Sequence, residues 1–385
     1  MTFATFLIFF LLLGVLILAH ELGHFIVAIR SGIKAEEFGF GFPPRLLGIV
    51  KESKTGKRRI FFGDEDVKSE HTIYSLNWIP FGGFVRMKGE DSNALLDSDS
   101  FASKPVGTRV AVLAAGVVMN FLLAWILISS LYVVGFPQPV TDENRNIASD
   151  VSVQIFSVAK GSPAEIMGLR PGDRILAVEG VTISGLAEAK RVIDARLGSD
   201  TKISVGRGGE TLTLHGTPRK NAPANEGALG ISFAETGSIR YPWYEAPFRG
   251  AQATWNVTAS IFLALAGMMK GLFMGHGAGI DVTGPVGIVY ATKQMSELGI
   301  AYLIQFAAIL SVNLAIFNIL PIPALDGGRI FFVIIEKFKG TPVREIIEQR
   351  FHQVGFFLLL LLMIFVTVRD FSQFRILEKI GNLFS

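Results

Sequence analysis

The chain reads as a polytopic α-helical membrane protein with four transmembrane helices, a membrane-associated β-hairpin element and one extracytoplasmic α+β domain. Three observations carry that reading. Half of the 385 residues are hydrophobic, 32 of them Phe, and mean hydropathy is +0.45, which is membrane-protein composition. Four apolar stretches are long or apolar enough for bilayer-spanning helices: residues 1–30, 106–136, 301–328 and 354–370. Between the second and third, residues 137–236 switch to short strand-like runs punctuated by Gly and Pro turns. The formal net charge of +3 gives no bulk attraction to nucleic acid, so no nucleic-acid partner is expected. The chain contains no cysteine. Disulfides and thiolate ligands are therefore excluded, and any zinc must be held by His and carboxylate.

The first span is apolar from Thr2 to Arg30 and has no Lys or Arg ahead of it, so it reads as a membrane helix rather than a cleaved signal peptide. It is interrupted by His20-Glu21-Leu22-Gly23-His24. On a helix, residues four apart lie about 40° around the axis, so both imidazoles reach one ion. Glu21 projects about 100° away from His20, near enough to touch a water without ligating. This is the H-E-x-x-H pattern, with two imidazoles on zinc and the Glu as general base. The alternative is three polar residues satisfied by helix neighbours. Ionisable residues in hydrocarbon cost about 2.5–3.5 kcal/mol each on the insertion scale, so three within five positions favour a metal site.

Arg30 and Lys34 follow the first span, which places its N-terminus outside and residue 30 in the cytoplasm. Residues 31–105 are mixed. Phe38-Gly39-Phe40-Gly41-Phe42 alternates with strand period, and Phe81-Gly82-Gly83-Phe84-Val85 returns as a second strand. The pattern fits a cytoplasmic hairpin layer, or equally a hairpin dipping toward the metal and offering a strand edge. Residues 106–136 then run outward; Asn120 within them reads as a helix–helix hydrogen bond. Residues 237–300 are apolar enough over 251–274 to suggest another span, but Asn256, Thr258 and Lys270 weaken it. Residues 329–353 are basic and read as a cytoplasmic loop, and 371–385 as a tail that its charge does not orient.

A catalytic zinc takes three protein ligands and leaves one position open. The broken segment Asn318-Ile319-Leu320-Pro321-Ile322-Pro323-Ala324-Leu325-Asp326-Gly327-Gly328 puts a carboxylate at a membrane-helix end. Asp326 alone reads equally well as a turn at the membrane surface; paired with His20 and His24 it becomes the third ligand. The pairing requires the third span to run inward. Residues 251–274 then lie on the outer side as an interfacial region, not as a full crossing.

Two further resemblances can be read. Gly168-Leu169-Arg170-Pro171-Gly172-Asp173-Arg174-Ile175 resembles the turn of a PDZ domain, and Gly227-Ala228-Leu229-Gly230-Ile231 the carboxylate-binding loop of its permuted bacterial form. Such a domain binds by strand addition to its sheet edge, which would place a peptide groove at Leu229, Gly230 and Ile231. The alternative is a domain that binds nothing and restricts access sterically. The two membrane motifs together resemble the site-2 protease family of intramembrane zinc metalloproteases, specifically bacterial regulator-of-sigma-E proteases. That resemblance implies Zn2+ on His20, His24 and Asp326, with Glu21 as base. It implies Asn318 on the substrate backbone and a membrane-reentrant β element, with Gly39, Phe40 and Gly41, clamping the substrate. The insert has room for one PDZ domain where the best-known members carry two.

The expected activity is hydrolysis within the membrane segments of single-pass proteins, such as anti-sigma factors or remnant signal peptides. The expected location is the bacterial cytoplasmic membrane, with the active site near the cytoplasmic side and the PDZ domain outside, facing a ligand peptide or a substrate ectodomain. The alternatives are a proteolytically inactive PDZ-bearing adaptor, against which the intact Glu21 argues, and a metal-ion transporter, whose ionisable residues would be strung along a path instead of clustered at one depth.

Overall fold

The computed structural model describes residues 3–52, 56–65, 67, 69–90, 97–223, 226–274, 284–341 and 343–373. The chain divides into two compact units, one of residues 1–128, 250–296 and 302–385, the other of 129–249 and 297–301. Among the described residues, four helices are long and apolar enough to cross a membrane: Phe3–Arg30, Val106–Val134, Ile300–Ile319 and Ile346–Phe371. The protein is thus a polytopic membrane protein.

In the first unit, α1 (Phe3–Arg30) has no Pro, and it stops where Gly32 takes φ +68°. Gly32 N–H bonds Ile29 O at 3.0 Å and Ile33 N–H reaches back to Ala28 O at 2.9 Å, the paired bonds of a Schellman stop. The chain then forms a three-stranded sheet ordered β2-β1-β3, from β1 (Ala35–Lys51), β2 (Arg58–Phe62) and β3 (Ile73–Met87). β1 bends at Phe42–Arg45, so both its halves meet β3: Phe40 faces Gly83 and Leu76, and Arg45 faces Asn77. A Cβ on Gly39 would sit 2.6 Å from the Phe84 ring and 2.7 Å from Ser75 Oγ. The alternating glycines are thus what lets these strands close up.

Next comes α2 (Val106–Val134). The second unit follows, with strands β4 (Phe136–Pro139), β5 (Ala148–Val158), β6 (Arg174–Val178), β7 (Val181–Thr182), β8 (Thr201–Arg207), β9 (Glu210–Gly216) and β10 (Ile231–Ile239), and helices α3 (Pro163–Ile166) and α4 (Leu186–Asp194). Its sheet runs β4-β10-β5-β6-β8-β9, with β7 on β6. A core of Val153, Ile155, Leu169, Ile175, Val178, Ile203, Val205 and Leu229 fills it. The Pro171-Gly172-Asp173 turn is anchored by Asp173, 1% exposed, whose two oxygens take Arg207 Nε at 2.6 Å and Nη2 at 2.7 Å.

Five helices follow among the described residues: α5 (Ala246–Phe273), α6 (Pro285–Leu298), α7 (Ile300–Ile319), α8 (Asp326–Lys339) and α9 (Glu345–Gln373), the last span. α5, in the stretch read from sequence as interfacial, is not among the four helices apolar enough to span. α7 buries Ala308, Ser311, Val312, Ala315 and Ile316, one helical stripe of mostly small residues that lets a neighbour approach. Ser311 Oγ donates to Asn120 O at 2.8 Å, so that neighbour is α2. Two features differ from the sequence reading. Residues 329–339 and 345–353, read as loop, are helical: Ile330 and Val333 bury one face of α8 against the core and Phe332 is buried as well, and α9 already starts at Glu345. Asp326 also opens α8 rather than ending the preceding helix. The tail from 374 onward, and His276, lie outside the described residues.

Candidate metal centre

Two elements of the first unit bring three side chains to one point. α1 supplies His20 and His24, which are 7% and 4% exposed. α8 supplies Asp326. The helix bearing it is fixed at Ile330 and Val333, which share a core with Ala28 of α1 and Val112 and Leu113 of α2. An ion pair between Arg109 and Glu336 ties α8 to α2 a second time. Asp326 Oδ2 lies 2.8 Å from His20 Nε2 and 3.3 Å from His24 Nε2, and the two Nε2 atoms are 3.1 Å apart.

Hydrogen bonding at the far side of each ring shows whether these groups suit a cation. His24 Nδ1 lies 2.8 Å from Val112 O. A carbonyl only accepts, so Nδ1 carries the proton and the Nε2 lone pair points at the cluster. His20 Nδ1 lies 3.3 Å from the Asn120 amide, whose Oδ1 is buried without a partner. An Asn amide can present either its oxygen or its nitrogen to the ring. Turned over, the amide gives Oδ1 the Nδ1 proton and leaves His20 Nε2 unprotonated too. Two imidazole lone pairs and a carboxylate, with ligand atoms all within 4.8 Å of one another, form a donor set of the zinc type. Among the described residues this is the only such group.

Glu21 stands beside the cluster. Its Oε2 accepts the Val85 backbone N–H at 3.0 Å, so β3 runs along α1 at the base. Gly82 and Gly83 make this possible: a Cβ on Gly82 would meet Ile17 at 2.8 Å, and one on Gly83 would meet Gly39 O at 2.9 Å and Leu18 at 3.3 Å. Gly39, Phe40 and Gly41 sit farther along the same sheet. The Phe40 ring packs at Gly14, six residues or about 9 Å up the axis from His20. Gly41 holds φ +79°. Asn318 is half-buried in the last turn of α7. In the second unit, Gly230 holds φ +73°. Leu229 is 2% exposed; its side chain belongs to the core and its carbonyl accepts the Ala164 N–H at 3.0 Å, while Gly230 donates to Gly227 O at 2.9 Å and accepts from Ala159 N–H at 2.7 Å.

Two residues of this centre escape a reading of the sequence for motifs. A Cβ on Gly116 would collide with both imidazoles, and one on Gly23 with Ala115 O, so small residues bring the α2 backbone against the ligands. Asn120, read from sequence as a helix–helix bond, makes that bond to a histidine of the centre. Gly116 and Asn120 are four apart and share one face of α2, the signal that could have marked them.

An imidazole pair and an adjacent glutamate on one membrane helix, with a carboxylate from the start of α8 beside them, match the side-chain set of a metallopeptidase centre. The chain belongs to peptidase family M50, whose model matches residues 8–362. A Clostridium perfringens protein provisionally named a zinc metalloprotease is 35% identical over 359 residues, covering 92% of this chain and 95% of its own length. An Agrobacterium fabrum protein, likewise provisionally named a zinc metalloprotease, is 30% identical over 390 residues, covering 95% of each. The regulator of sigma-W protease RasP of Bacillus subtilis is 28% identical over 450 residues, covering 96% of this chain and 98% of its own.

Proposed function

We propose that His20, His24 and Asp326 hold the zinc of this metalloprotease, and that Glu21 is the base that cuts peptide bonds within membrane segments. The observation that carries the assignment is the meeting of Asp326 with His20, 306 positions away in sequence. Both lie in a chain with four helices apolar enough to span. Bound zinc supplies Lewis acidity, polarising a carbonyl and lowering the pKa of a water toward ~7. Glu21, oriented by the Val85 amide, takes the proton of the attacking water and returns it to the leaving nitrogen.

The substrate class is a single membrane-spanning helix, unwound to expose a bond and held extended against the β element, with Gly39, Phe40 and Gly41 shaping that sheet. Asn318 holds the substrate backbone. The name of the Bacillus relative, a regulator of sigma-W, supports a substrate in sigma-factor control; remnant signal peptides share the same chemistry. The flanking charges support a bacterial cytoplasmic membrane location, with the second unit outside. That unit is a PDZ domain, supported by its Pro171-Gly172-Asp173 turn and by its Gly230 loop leading into β10. It takes a peptide or a substrate ectodomain at the loop of Leu229, Gly230 and Ile231.

E21Q is expected to keep zinc and to lose about 10²–10⁴-fold in cleavage of a membrane-helix substrate by purified protein. D326N is expected to lose zinc by elemental analysis. Parental cleavage by E21Q, insensitive to a chelator, would mean that the protein acts instead as an adaptor copurifying with another protease.

A further inference from the structure

The chain that delivers Asp326 is an unusual one. Pro321-Ile322-Pro323-Ala324-Leu325 joins α7 to α8. Two of its five residues have no N–H; of the other three, Ile322 and Leu325 donate to carbonyls of the same connection and Ala324 does not. Ala324 takes φ +67°, a left-handed conformation that costs an L-residue roughly 1–2 kcal/mol. Something outside the turn must fix it. Ala324 N–H donates to His352 Nδ1 at 2.8 Å, across 28 residues from α9.

His352 is itself held on two sides. Its ring centroid lies 6.0 Å from that of Phe332 in α8 and 5.6 Å from that of Phe351. A Cβ on Gly328 would sit 3.2 Å from its Cε1, and one on Gly355, a turn further along α9, would collide with Pro323. The two glycines thus allow α9 and α8 to close on the turn. Because Nδ1 accepts from an amide, the ring proton sits on Nε2, which is buried without a partner. Its Nδ1 hydrogen bond goes to the backbone two residues before Asp326.

We propose that His352 is a positioning residue of the metal centre: its Nδ1 holds the Ala324 amide, and so sets the turn that carries Asp326 to His20 and His24. The proposal rests on the reading of Asp326 as a zinc ligand. The final span thereby becomes part of the centre without contributing a ligand to it.

Three variants of the full-length protein separate the possibilities, read by zinc retention against a graded chelator and by kcat and KM at saturating zinc. H352F keeps the aromatic packing and removes the acceptor. H352N loses the ring but places Oδ1 where Nδ1 stood. D326N tests the ligand itself. Zinc affinity is expected to fall about 10–100-fold in H352F, the range for lost outer-shell partners, with kcat falling more than KM rises. H352N is expected to stay within a few-fold of the parent. Parental retention in H352F, or a loss in H352N matching that of H352F, overturns the proposal. If H352F does not fold, the H352N result alone decides, since packing without an acceptor predicts loss there. Parental zinc in D326N sinks the underlying ligand reading, whereas zinc lost in D326N but kept in H352F sinks only the role of His352.

Discussion

The histidines of the centre are oriented by groups with no sequence relation to H-E-x-x-H. His24 is fixed by a backbone carbonyl, Val112 O, which side-chain substitution cannot remove. His20 depends on one side chain, Asn120, and is therefore the ligand open to mutation. N120L is expected to weaken zinc about 10–100-fold, and N120D, which keeps an acceptor, to weaken it less; chelator competition on purified protein measures both. G116A tests the spacing. Its methyl would collide with both rings, and two stiffly packed helices must separate to admit it. The expected result is zinc loss comparable to that of D326N, and full occupancy would show that α1 and α2 give way there at little cost.

Among the elements, helices with strong periodicity were legible and helices completed by distant partners were not. α1 could be read because a run of apolar residues ends in Ser31-Gly32, a stop that needs no partner. α8 could not: Arg329, Glu336, Lys337 and Lys339 give it the charge of a loop, and its apolar face becomes visible only against Ala28, Val112 and Leu113. Two of its charges, Glu336 and Arg329, are met from outside, by Arg109 and Glu90. The start of α4 shows the same dependence. Its N-cap is Gly185, which offers no side-chain acceptor; Glu235 of β10 accepts the Leu186 N–H instead, at 3.0 Å. That bond first, and the Arg145 ion pair second, hold the Glu235 carboxyl below the ordinary glutamate value. A depressed folded-state pKa means that stabilisation is fully present above the unfolded value, near 4.3, and is lost as pH falls through the lower folded one. Hydrogen-exchange protection of Leu186–Asp194, referred to intrinsic rates, is expected to drop across that acidic window. In E235Q it should be lower at neutral pH and flat; an unchanged profile in E235Q would assign the pH response to another group.

For the whole molecule, the sequence disclosed which residues meet but not what makes them meet. His20, His24 and Asp326 could be paired because local chemistry limits what a membrane helix tolerates. The packing that joins them runs through Gly23, Gly116, Asn120 and His352, residues whose meaning comes only from elements far along the chain. The same scale governs catalysis. A peptide bond in a spanning helix has its carbonyl hydrogen-bonded within the helix and cannot lie extended beside Glu21 and the β3 edge. Opening the helix is therefore a cost paid before chemistry, and it belongs to the substrate. A Leu→Gly change near the cut removes roughly 1 kcal/mol of helix preference, which corresponds to about 5-fold in rate if opening precedes the cut. The gain is expected to be lost when the glycine is moved a full span-length away, and to be absent in E21Q. Substrate series assayed with the purified zinc protein in bilayers would show it as a change in kcat/KM. Equal rates for straight and weakened helices would mean that the enzyme meets its substrates already unwound, and that selection among them is made apart from helix opening.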